Sequence, residues 1–393
     1  MARRPHALTG LLLAAALGAA FASPVVGLPS LKKIKDDTKK AVKDAFGSEA
    51  DTAGKGAPAG AAAPATAAGG AAATPAAKPG EGAWLNYDFV PGDRVLFFDD
   101  FTTDPVGNFP HRLELVTGNM EIAEWQGRRL LRVTSWYAEF KVPLPGPLPQ
   151  RFTVEFELAC RAGRVVFVSC DPAGSNDDDH SEVQWAPDRV EVQGNLGGTS
   201  RVTFDRDLAD KLFSCRMMGD GKYLKVYTNE TRYANLPNAA FGHGDQLRFV
   251  LQATDEEPIY IGPIRIAEGG RIQLYDELAS KGRVATQGIL FDTGSDRLRP
   301  ESTPTLTDIG QMLTQHADLK LRIEGHTDDV GDAAANLALS EKRAAAVKTY
   351  LVAKFSLDAA RLETQGFGET KPAAPNTTPE ARQTNRRVEL VKL

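Results

Sequence analysis

The period of the apolar residues changes once along this chain, and that change limits the folds open to it. From Trp84 to about Gly269, apolar side chains recur in short alternating runs separated by turn residues. Examples are Val95-Leu96-Phe97-Phe98, Arg112-Leu113-Glu114-Leu115, Arg129-Leu130-Leu131-Arg132-Val133, Phe152 to Leu158, Val165 to Val168, Tyr223 to Tyr227 and Leu247 to Leu251. A period of two, broken often and without a helical stretch, predicts an all-β sandwich over 84–269. From Val284 the pattern becomes alternating strands and helices. Strands are expected at 284–291, 319–324, 361–366 and 387–391, with helices at 301–315 and 336–355. Leu339, Ala346, Val347, Tyr350 and Leu351 supply the apolar side of the longer helix. Such alternation predicts an α/β domain over 284–393 with its helices on one face of a sheet. The fold class is therefore multidomain, an all-β sandwich followed by an α/β unit.

The 393 residues are enough for two globular domains with proper cores. Ahead of them, Arg3 and Arg4, an apolar run from Leu8 to Ala20 and Ala20-Phe21-Ala22 as a small-x-small site have the grammar of a cleavable secretory signal at 1–22. The apolar run is shorter than the roughly 20 residues a bilayer core requires. No Cys follows it, so a lipid anchor there is not expected. Residues 30–47 place Leu31, Ile34, Ala41, Val42 and Phe46 near one helical face. They read as a short amphipathic helix, either a docking element for a membrane surface or envelope partner, or a frayed helix without a ligand. Residues 50–82 are almost entirely Ala, Gly, Pro and Thr, the composition of a flexible linker with a span of roughly 30 Å. Removing the signal takes the formal charge from −5 to −7, and a mildly acidic chain without a basic stripe is a poor partner for nucleic acid.

Within the sandwich region, Cys160, Cys170 and Cys215 lack metal-ligand spacing. Cys160 and Cys170 end successive strand-like runs and could bridge a hairpin in an oxidising compartment, or all three could be buried free thiols. The acidic cluster Asp177-Asp178-Asp179 with Glu182 is either a solvated turn or an oxygen-rich Ca²⁺ loop. The stretch from Gly219 to Arg232, with Asp99-Asp100-Phe101 and Gly107-Asn108-Phe109-Pro110, resembles the laminin-G or concanavalin-A-like jelly rolls. That resemblance implies a jelly-roll sandwich and no particular ligand.

Three blocks of the C-terminal region stand out: Phe291-Asp292-Thr293-Gly294-Ser295; Ile323-Glu324-Gly325-His326-Thr327-Asp328 with Gly331, Asn336, Leu339-Ser340 and Arg343-Ala344; and Gly366-Phe367-Gly368-Glu369 with Asn385-Arg386-Arg387-Val388-Glu389. In order and spacing they resemble the OmpA-like peptidoglycan-binding family over about 110 residues. Read from the residues alone, Asp328 lies just past a strand end and Arg343 on the following helix, so a carboxylate and a guanidinium can face one hollow. They would hold a zwitterion, or simply pair with each other.

The resemblance implies that Asp328 and Arg343 hold the meso-diaminopimelate of a peptidoglycan stem peptide. Asp328 would accept from its ammonium and Arg343 would grip its carboxylate with two parallel bonds. Around them, Thr293, Gly294 and Ser295 offer backbone N–H groups or form an ordinary turn. Thr327 adjoins the aspartate. The family often carries Asn where Gly294 stands, so one side-chain contact is missing here. Asn336 and Ser340 could cap the helix or meet the ligand, and Arg387 could support the pocket or form a structural ion pair.

Two other function classes compete with this binding role. A glycosidase on the sandwich would need two carboxylates about 5 Å apart, and jelly-roll hydrolases of this type usually show Glu-x-Asp-x-x-Glu, which is absent. His326 lacks an accompanying Ser or Cys nucleophile motif, so no catalytic residue, metal or cofactor is expected. A flagellar-stator-like protein would need a transmembrane helix after its start, where this chain has a signal and a linker. The expectation is a non-enzymatic periplasmic protein, associated with peptidoglycan and the outer membrane, with an envelope protein as a second partner through the N-terminal helix or the sandwich.

Overall fold

A computed structural model describes residues 78–81, 84, 87–170, 181–193, 200–239, 241–270 and 274–393. The expected signal at 1–22, the amphipathic helix at 30–47, most of the linker at 50–82 and the acidic run Asp177-Asp178-Asp179 lie outside the described residues.

Two antiparallel sheets share one apolar core. The first sheet runs in the order 231–236, 223–228, 213–220, 151–159, 259–261, 128–133 and 120–125. Strand Ile264–Glu268 also pairs with Arg151–Ala159, and Arg94–Asp99 pairs with Ile264–Glu268. The second sheet runs 200–203, 189–193, 182–186, 165–169, 246–252, 138–143 and 114–117. Alternation along Gln246–Gln252 sends Leu247, Phe249 and Leu251 inward. There Phe156 of the first sheet meets Trp185 and Phe249 of the second edge-on, with centroids 5.2 and 5.4 Å away.

The expected run at 112–115 is shifted. Leu113 is buried just before the strand, and Glu114–Thr117 forms an exposed sheet edge. Cys160, Cys170 and Cys215 are all buried and free, so the hairpin disulfide does not form. Burial pushes the Cys160 thiol up to about 12, which keeps it protonated and inert.

The C-terminal domain has a four-stranded sheet in the order 283–286, 388–392, 321–326 and 362–368, in which only the last two strands are parallel. Helix α1 spans Leu274–Lys281, α2 Thr303–Gln315, α3 Ala333–Phe355 and α4 Pro379–Asn385. Leu306, Ile309 and Leu313 of α2 share a core with Ala344, Val347 and Leu351 of α3 and with Ile323 and Leu390 of the sheet. Among the described residues no helix is long and apolar enough to cross a membrane.

The C-terminal domain departs from the sequence pattern at three places. The first strand ends at Thr286 rather than at Phe291, because Gln287 turns its N–H to the Asp93 carboxylate of the sandwich, 3.0 Å away. Phe291 then joins only a single bridge to Leu298. Helix α3 begins at Ala333 rather than at Asn336, since Asp332 is its cap and accepts from Ala335 N at 2.9 Å. Between the last two strands, where the sequence pattern assigns no helix, stands α4, capped by Thr378 with Pro379 in its first turn.

Candidate functional site

Strand Leu321–His326 ends against α3, and the loop between them carries the first half of the site. Asp328 is buried there. Its Oδ1 accepts from Val330 N at 3.3 Å and its Oδ2 pairs with Arg386. Asn336, one turn into α3, fastens the same loop. Its Nδ2 lies 3.3 Å from Asp328 O, 3.2 Å from Val330 O and 2.9 Å from Glu369 Oε2. Thr327 donates its hydroxyl to Asp328 O at 2.8 Å. Ser340, one turn further along α3, accepts from Gly368 N at 2.9 Å. Neither Asn336 nor Ser340 caps the helix; Asn336 ties it to neighbouring loops and Ser340 to the end of strand 362–368.

Arg343 supplies the second half from the middle of α3. Its Nε donates to Ser295 O at 3.0 Å and its Nη2 to Asp292 O at 3.5 Å, while the guanidinium lies over the Phe291 ring at 5.0 Å. It makes no ion pair among the described residues, and burial together with the charge of Arg386 holds its pKa below the usual arginine range. Asp328 acts on it in the opposite sense, so the two groups share one electrostatic neighbourhood without bonding. Thr293 and Gly294 are exposed at the tip of the 292–295 turn, with Gly294 at φ +65°, and Ser295 enters the site through its carbonyl.

Arg387 is not in this hollow. It is buried against Glu389, 2.5 Å away, and also donates to Lys371 O at 3.2 Å. Arg386 is the residue that sequence reasoning passed over, and it was visible only as one half of an Arg-Arg pair.

Behind the site, His326 is 3% exposed and stacks on Phe367. Among the described residues neither ring nitrogen finds a hydrogen-bond partner, and Glu389 Oε1 is 4.0 Å from Nε2, too far to bond. Burial and then Arg387 lower its pKa to about 4, so it is neutral at pH 7 and a weak base out of solvent's reach. Ligand atoms of Glu324, His326 and Glu389 lie within 4.8 Å of one another. Arg322 already pairs with Glu324, however, and both Arg283 and Arg387 pair with Glu389, which leaves no negative charge to attract a cation.

Comparison with known proteins gives these residues a family. The sequence model of the OmpA family matches residues 290–386. Outer membrane protein Omp38 of Acinetobacter baumannii is 33% identical over 198 residues, which is 50% of this chain and 52% of that protein. The outer-membrane lipoprotein YfiB of Pseudomonas aeruginosa is 42% identical over 103 residues, 26% of this chain and 61% of that one. Outer membrane protein A of Bordetella avium is 44% identical over 101 residues, 25% of this chain and 51% of that one. The chain thus spans about half the length of curated relatives it matches. Residues 290–386, which carry Asp328, Arg343 and Arg386, form an OmpA-family domain.

Proposed function

We propose that the protein is a non-covalent peptidoglycan-binding protein of the cell envelope and that its C-terminal domain recognises diaminopimelate through Asp328 and Arg343. This reading gives it no catalytic role. It places the protein in the periplasm near the outer membrane, exported by a signal at 1–22, with the sandwich at 84–269 as a jelly roll open to a second envelope partner and the binding domain at 284–393.

One observation carries the proposal. Asp328 pairs with Arg386, while the partly buried guanidinium of Arg343 has no counter-ion among the described residues. A desolvated cation without an anion favours a carboxylate ligand, and Arg binds one through two parallel bonds. Asp328 Oδ1, held among the described residues only by one 3.3 Å backbone bond, retains capacity for an ammonium. Diaminopimelate brings both groups on one centre. The loop carbonyls of Asp292 and Ser295 hold the guanidinium in place beforehand.

Retention on purified sacculi tests the proposal. Truncating one partner of a buried charge pair costs about 2–5 kcal/mol, so Asp328→Ala and Arg343→Ala should each weaken retention about thirty-fold or more. Arg343→Lys should recover part of it, since the charge remains and the planar geometry is lost. Normal retention by both folded alanine variants would sink the site. Equal retention on walls that lack diaminopimelate would sink the ligand.

A further inference from the structure

A cleft of about 510 Å³ lies where the sandwich meets the C-terminal domain, and the site described above takes no part in it. Its volume is within the roughly 300–1,000 Å³ range of ligand pockets. One wall is a row across three neighbouring strands, in which Arg151 stands opposite Asp220 and Asp220 opposite Tyr223. The other wall is the face of α2 turned away from its core. Positions 308, 311 and 315 recur there at helical spacing as Asp308, Gln311 and Gln315. Tyr275 of α1 joins this wall, its ring stacked parallel on His316 with centroids 3.5 Å apart. Gly269 and Gly270, at φ +106° and +124°, carry the chain along the cleft, and a Cβ on Gly270 would stand 3.4 Å from Met218 Sδ.

We propose that this junction cleft binds an uncharged oligosaccharide. Two large aromatic side chains stay in solvent here, Tyr223 at 57% and Tyr275 at 40% exposure, although burial would have stabilised the fold. An aromatic ring has a negative face, which attracts the weakly positive C–H face of a pyranose. Beside the rings stand two carboxamides, each of which donates and accepts, as a sugar hydroxyl also does. Two cations, Arg151 and Lys225, balance two anions, Asp220 and Asp308, so the lining exerts no net pull on a charged ligand. The stack on His316 fixes the Tyr275 ring before binding, which removes an ordering cost.

A neutral sugar chain could be the glycan backbone of the wall or another polysaccharide. Titration calorimetry of the full chain separates the two. Chitohexaose stands for the wall backbone and cellohexaose for a glycan without acetamido groups. We expect at least one to bind, with Tyr223→Ala and Tyr275→Ala each weakening it about tenfold and both variants melting as the wild type does. Binding of chitohexaose alone assigns the cleft to wall glycan, binding of cellohexaose alone to another polysaccharide, and either upholds the proposal. No binding of either sugar at millimolar concentration would overturn it, as would binding undiminished in both folded tyrosine variants. Neither probe carries a stem peptide, so failure here leaves the diaminopimelate reading standing.

Discussion

His326 shows how a residue can look catalytic in sequence and act on stability in the fold. Its folded pKa of about 4 lies below the ordinary value of 6.5, so the unfolded chain takes up a proton that the folded chain refuses. Its contribution to stability is complete above about pH 6.5 and is lost as pH falls towards 4. Asp93 and Asp99, each raised to about 6 by burial, act with the opposite sign and regain stability over the same range. The diagnostic is therefore a difference between proteins. Chemical unfolding of His326→Gln should show a flatter loss of stability from pH 6.5 to 4 than the wild type, and parallel curves would refute the assignment. Asp328 and Arg343 were legible from a strand end, a helix and their spacing. Arg386 was not, because consecutive residues entering a strand point to opposite faces and two adjacent arginines hide which faces what. Only the pairing of Arg387 with Glu389, two residues on and on the same face, leaves Arg386 for Asp328.

Helix α3 is placed by what it lies against more than by its own apolar content. Its buried stripe is Asn336, Ser340, Ala344, Val347 and Leu351, polar at the end nearest the site and apolar beyond it. The pattern of apolar residues therefore located the second half of the helix well and its start poorly. Gly325 explains the close seating of that polar end. A Cβ there would meet Ser340 O at 2.3 Å, a backbone atom that cannot step aside. Gly366 of the neighbouring strand is equally tight, with Glu341 N at 2.5 Å. The motif displayed both glycines but not the helix pressed on them, a contact made only in three dimensions. Gly325→Ala should cost about 3 kcal/mol, the upper end of overpacking, and should reduce wall retention by moving Arg343. A wild-type denaturation midpoint would show that the helix has room to yield.

The sandwich and the C-terminal domain belong to one compact unit, fastened by contacts between residues far apart in sequence. Glu380 of α4 accepts from Phe98 N at 2.9 Å and pairs with Arg112. Burial opposes its ionisation, yet Arg112 and that N–H hold its carboxyl below the usual range. Period and composition announced both domains but not this seam, which joins positions 282 apart. Glu380→Ala leaves the part-buried Phe98 N–H unpaired and takes the ion partner from Arg112, and should cost about 2 kcal/mol. Calorimetry should then show the two domains melting less cooperatively, and an unchanged melt would show that the seam is held elsewhere. The first strand of the sandwich, Arg94–Asp99, pairs antiparallel with the last, Ile264–Glu268, Arg94 standing opposite Glu268. Ahead of it, Gly80 N already donates to Thr303 of α2 and Pro79 O accepts from Tyr350 of α3. Tension applied between the segment before residue 80 and strand Val388–Lys392 would thus first load these contacts with the C-terminal domain, and for as long as they hold the sandwich hangs beside the line of force as a side loop.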